Sequence, residues 1–123
     1  MKKTLLIAAV LLSSMSGSFA QTTWTVRVGD FAFMPATLNV VVGDVIRWRW
    51  HSGMHTTTSL TVPPGATPWD VPIDSTNTQF KYRVRFAGTY TYQCSPHPFM
   101  QGTINATLGN SPAALDFSAE THH

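Results

Sequence analysis

Residues 80 to 86 read Phe-Lys-Tyr-Arg-Val-Arg-Phe, a strict alternation of apolar and cationic side chains. A period of two puts every second residue on one face of an extended strand, so the segment reads as a strand with one buried side. The same period recurs along the chain. Val26 and Val28 alternate with Thr25 and Arg27, and Leu38, Val40 and Val42 share a face before Gly43-Asp44. Ile46, Trp48 and Trp50 alternate with Val45, Arg47 and Arg49, and Tyr90, Tyr92 and Cys94 alternate with Thr89, Thr91 and Gln93. A β-branched run, Thr56 to Thr58, and a segment from Thr103 to Leu108 complete the set. No window shows a helical period. Seven or eight short strands with turn signals between them predict an all-β fold, a Greek-key β-sandwich or barrel. Pro63 to Asn77, rich in Pro, Gly, Asp and Thr, reads as the long connection, with room for one short turn of helix or strand.

Residues 1–20 stand outside this pattern. Lys2 and Lys3, an apolar run from Leu5 to Leu12 and the ending Ser18-Phe19-Ala20 form a basic, apolar and small-x-small sequence, which reads as a cleaved signal peptide. The run is short for a bilayer span, so stable membrane insertion is not expected. Residues 21–109 form one domain, and residues 110–123, Asn-Ser-Pro-Ala onward, leave the strand pattern as a C-terminal tail. Without Lys2 and Lys3, six basic residues face six acidic ones. A near-neutral balance gives no reason to expect nucleic acid as a partner. Export places the chain in the periplasm, where disulfides can form. The one cysteine, Cys94, cannot make an internal disulfide.

Cys94 instead opens the segment Cys-Ser-Pro-His-Pro-Phe-Met, which sets a thiol, the imidazole of His97 and the thioether of Met100 at intervals of three. Taken singly, each has an ordinary reading: a buried core thiol, an exposed loop histidine and core filler. Together, in one turn with Pro96 and Pro98 limiting the backbone around His97, they form a soft donor set. Such a set is poor for calcium or magnesium and suits copper, whose electron-transfer site is His2Cys with a weak axial Met. A second histidine must come from elsewhere. His55 precedes the β-branched run and is the favoured donor, while His51 follows Trp50 and reads as an exposed loop histidine. His122 and His123 end the tail, with no strand to position them.

Two stretches resemble the cupredoxins, the small blue copper proteins of the plastocyanin and amicyanin group. Phe33-Met34-Pro35-Ala36-Thr37-Leu38-Asn39-Val40, followed by Gly43-Asp44 and Trp48, is similar to the family's early segment. Phe86 to Met100 is similar to its ligand loop, with the short spacing of amicyanin. The resemblance implies one type 1 copper held by His55, Cys94, His97 and Met100, single-electron exchange with redox protein partners, and a monomer without enzymatic activity. Gln93 and Ser95 stand where histidines would couple such a site to a trinuclear copper cluster. Met54 and Thr56 flank His55 where amicyanins have Pro and Asn. A copper carrier or storage protein is the alternative use of the same donors.

Two surface features are expected to serve a partner. Met54, Pro98, Phe99 and Met34 are expected to gather around His97 as an apolar patch. The resemblance places the strand of Arg47 and Arg49 beside that of Lys81, Arg83 and Arg85, which would form a basic stripe.

Overall fold

The computed structural model describes residues 21–109. The signal-peptide and tail assignments, with His122 and His123, lie outside the described residues.

Among the described residues there are nine strands: β1 (Thr23–Gly29), β2 (Ala32–Met34), β3 (Thr37–Val41), β4 (Val45–Trp50), β5 (His55–Thr61), β6 (Asp70–Ile73), β7 (Gln79–Arg83), β8 (Gly88–Cys94) and β9 (His97–Thr107). They form a four-stranded sheet, β2-β1-β4-β7, and a five-stranded sheet, β3-β9-β8-β5-β6. Neighbours pair antiparallel except β1 with β4 and β3 with β9. These parallel pairs require long crossovers, so the chain passes repeatedly from sheet to sheet. The all-β expectation holds.

The alternation maps onto the core. Val26, Val28, Ile46 and Trp48 fill it from the first sheet, and Leu38, Val40, Tyr90, Tyr92 and Ile104 from the second. Trp48 lies between them, 5.3 Å from the Tyr92 ring and 5.5 Å from that of Trp69. Tyr92 faces Gly102 across β8 and β9, and a Cβ on Gly102 would collide with the tyrosine ring. Glycine there lets the ring lie over the strand, close to the hairpin that joins β8 to β9.

The strand count exceeds the seven segments read directly because two strands are short. β2 has three residues, and β6 has four inside the long connection. Two boundaries also move. The strand containing Phe80 and Tyr82 stops at Arg83, and Phe86 is 42% exposed, with its ring against Gly65. The last strand begins at His97 rather than Thr103, because the antiparallel ladder with β8 continues to the turn.

At the end where β4 starts, Asp44 is buried and accepts from Thr22 N (3.0 Å), Trp24 Nε1 (2.9 Å) and Val41 N (3.1 Å). Burial pushes its carboxyl upward, but the Trp24, Thr22 and Val41 donors outweigh this and hold it below the ordinary range.

Candidate metal centre

The other end of the sandwich gathers the soft donors. Cys94 ends β8 and pairs with His97, the first residue of β9, across Ser95 and Pro96. On β9, Met100, Gly102, Ile104 and Ala106 alternate inward, which buries Met100 at 2% exposure. Cys94 shares the inward register of Tyr90 and Tyr92 and is fully buried. His55 opens β5, is likewise buried and pairs with Ile73 of β6.

These elements converge. Cys94 Sγ lies 3.6 Å from His55 Nδ1 and 3.3 Å from His97 Nδ1. One ligand atom from each residue lies within 4.8 Å of the others. Donors about 2.0–2.3 Å from a shared ion, at tetrahedral to trigonal angles, sit roughly 3.3–3.8 Å apart. The two imidazole–sulfur separations therefore fit a single metal ion. His51 lies elsewhere: it is exposed, and its Nε2 accepts from Arg27 Nη2 at 2.9 Å. That bond needs a lone pair on Nε2.

A hydrogen-bond chain ties the hairpin to β5. Ser95 N donates to Thr56 Oγ1 at 2.8 Å, and Thr56 Oγ1 is 2.8 Å from Thr58 Oγ1. Thr58 donates its one proton to Asp70 Oδ1 at 2.8 Å, so it must accept from Thr56. Thr56, which stands where amicyanins have asparagine, thus anchors the backbone next to Cys94.

Three contributors escaped sequence reasoning. Thr56 is one. The others, Asp30 and Phe31, lie in the turn between β1 and β2. His55 Nε2 donates to Asp30 Oδ1 at 2.9 Å. The Phe31 ring is 5.0 Å from His97 and 6.0 Å from Phe99. The position of Asp30 against His55 arises from the parallel pairing of β1 with β4, which runs to Val28 opposite Trp50.

Comparison with known proteins agrees with this geometry. The family of copper-binding proteins of the plastocyanin/azurin type matches residues 20–107. The chain belongs to this family. It is 29% identical over 80 residues to the amicyanin of Paracoccus denitrificans, covering 64% of this chain and 61% of that one, so it spans about three fifths of that relative. It is 26% identical over 103 residues to amicyanin-alpha of Methylorubrum extorquens, covering 82% and 85%. Among solved structures, a mutant amicyanin in its Cu(I) form aligns with TM-score 0.61 and 24% identity, over 74% of this chain and 88% of that one. A copper-containing nitrite reductase of Thermus scotoductus aligns with TM-score 0.63 and 22% identity, over 72% and 23%. Both are likenesses of fold.

Copper is thus the metal of this family, and the donors present suit it. His55, Cys94, His97 and Met100 are arranged as a possible single copper site. Two imidazoles, a buried thiol and a thioether make up the His2Cys-plus-Met set of a type 1 centre.

Proposed function

We propose that this protein is an exported, periplasmic carrier of single electrons, with one type 1 copper held by His55, Cys94, His97 and Met100. The observation that carries this reading is the convergence of two imidazole Nδ1 atoms on one fully buried cysteine sulfur. When bound, copper supplies a reversible one-electron couple. The chain's part is to hold one donor geometry through that change. His55 is fixed at the mouth of β5, and His97 and Met100 sit on the same β9 that carries Cys94's partner residue. The Ser95–Thr56 bond pins the turn between them. Four donors leave no open position for a substrate, so the protein works without catalysis of its own.

The exposed surface supports protein partners. Phe31, Met34, Met54 and Phe99 are each more than half exposed, and Phe31 and Phe99 flank His97. An apolar patch around a redox ligand lets a second centre approach without charged groups to desolvate. Across the first sheet, Arg47 pairs with Lys81 and Arg27 with Arg49. Like charges directly opposite each other are unfavourable in a sheet. Their grouping there favours a partner that is acidic beside its docking point.

Visible spectroscopy of the protein after addition of Cu(II) tests the proposal. An intense blue band with reversible one-electron reduction is expected. Tight Cu(I) binding with no blue Cu(II) form would instead indicate copper carriage or storage.

A further inference from the structure

We propose that Asp30 is a positioning residue for the metal centre: its carboxylate selects the His55 ring form that presents Nδ1 as a donor, and its negative charge biases the couple toward Cu(II). The inference rests on His55 being a copper ligand.

The geometry carries both halves. His55 is wholly buried, while the Asp30 side chain is 45% exposed, so the carboxylate links a buried ring to the surface. An ionised carboxylate only accepts hydrogen bonds. The 2.9 Å contact therefore requires the proton on His55 Nε2. A neutral imidazole has one N–H, so the lone pair falls on Nδ1, the atom 3.6 Å from Cys94 Sγ. Ring form and ring orientation are set by the same bond.

The surroundings are shaped for this contact. Asp30 N donates to Ser52 Oγ at 3.1 Å, which fixes the aspartate backbone against the turn that leads to His55. Trp50 Nε1 donates to Gly53 O at 2.8 Å and holds the other side of that turn. Gly53 has φ +80°, and a Cβ there would collide with both the Asp30 carboxylate and the His55 ring. Only glycine meets both demands. Among the described residues, Asp30–His55 is the one close contact between a basic side chain and a carboxylate.

A carboxylate behind a ligating histidine makes the ring a stronger donor and stabilises the more highly charged metal state. Phe31, the next residue, packs on His97. One turn thus contacts both imidazoles, one through a hydrogen bond and one through an aromatic ring.

Three variants separate orientation from charge. Asp30→Asn keeps a carbonyl acceptor and removes the charge. Asp30→Ala removes both, and Asp30→Glu restores both on a longer arm. In the metal-free protein, ring ¹⁵N NMR should show the Nε2–H form of His55 in the wild type and in Asp30→Asn, and a mixture in Asp30→Ala. With copper bound, Asp30→Asn should shift the Cu(II)/Cu(I) equilibrium toward Cu(I) by about threefold to tenfold, the upper figure being about 59 mV for a one-electron couple. Asp30→Ala should also weaken Cu(II) binding by roughly 10- to 100-fold, and Asp30→Glu should recover part of the potential. Blue Asp30→Asn with wild-type potential, or unchanged His55 ring shifts in Asp30→Ala, would overturn the proposal. A wild type that never turns blue would overturn the electron-carrier reading instead, and the metal-free NMR comparison would still decide whether Asp30 sets the ring.

Discussion

The two ends of the sandwich each hold an aspartate, and they use it differently. β4 runs between them, from Val45 beside Asp44 to Trp50 before His51, a span of about 17 Å. At the far end Asp44 is buried and gathers three N–H donors from the start of β1, the end of β3 and an indole. At the metal end Asp30 is half exposed and meets one imidazole, whose other nitrogen faces Cys94. The first carboxylate closes strands together and the second aims a ligand. Stability and metal chemistry are therefore held at opposite ends of one rigid frame, and each can be disturbed alone.

The largest expected effect lies at the metal end. Cys94→Ser should remove the blue band completely, since that colour needs a copper–thiolate bond, while the thermal midpoint of the metal-free protein changes little. Retained blue colour would mean that Cys94 is only core. Next comes His55→Ala, which should open the site so that added imidazole alters the spectrum. His51→Ala should leave the spectrum as it was, because His51 faces Arg27 in solvent. The reverse outcome for the two histidines would transfer the ligand role to His51.

The far end should show the opposite profile. Asp44→Ala strands three donors and is expected to cost about 2–3 kcal/mol in denaturant unfolding, with an unchanged copper spectrum. Its pH dependence has a definite sign. The folded Asp44 carboxyl titrates below its unfolded value of about 3.9, so its contribution is complete above that pH. It fades as the pH falls from about 4 through the lower folded value. The stability gap between wild type and Asp44→Ala should therefore be constant from pH 5 to 7 and narrow toward pH 3. A gap that stays open at pH 3 would show that packing, not charge, makes the difference.

The same contrast explains what could be read before the fold was seen. Cys94, His97 and Met100 stand within seven residues, and a hairpin needs no distant partner to bring them together. The alternation likewise marked the buried face of β1, β3, β4 and β8, because strand period is a local property. Asp30, Phe31 and Thr56 carry no such mark. Their roles arise when β1 lies parallel to β4 and β5 antiparallel to β8, contacts between residues some twenty to forty positions apart. Phe86 misled for a related reason. Its alternation continues that of Phe80 and Tyr82, but β7 stops at Arg83 and the chain turns away toward β8.

The smallest expected effect runs between the two ends. Arg49 sits beside Arg27 near the metal end, whereas Arg83 pairs with Val45 beside Asp44. Four residues of β4 separate the two levels, about 13 Å along the strand. Screening at physiological salt acts over about 8 Å, and at 0.01 M over about 30 Å. If an acidic partner docks on the patch around His97, a charge at the near level acts on it at 0.15 M and one at the far level is mostly screened. Arg49→Glu should then slow electron exchange several-fold at 0.15 M, and Arg83→Glu much less. At 0.01 M the two should slow it by similar factors, and each should flatten the salt dependence of the rate. Phe99→Asp, which touches the patch itself, should slow exchange at both salt concentrations while the spectrum stays intact. Stopped-flow rates at the two salt concentrations make the comparison. Equal effects of Arg49→Glu and Arg83→Glu at 0.15 M would mean that the partner lies along the whole sheet face instead of at the metal end.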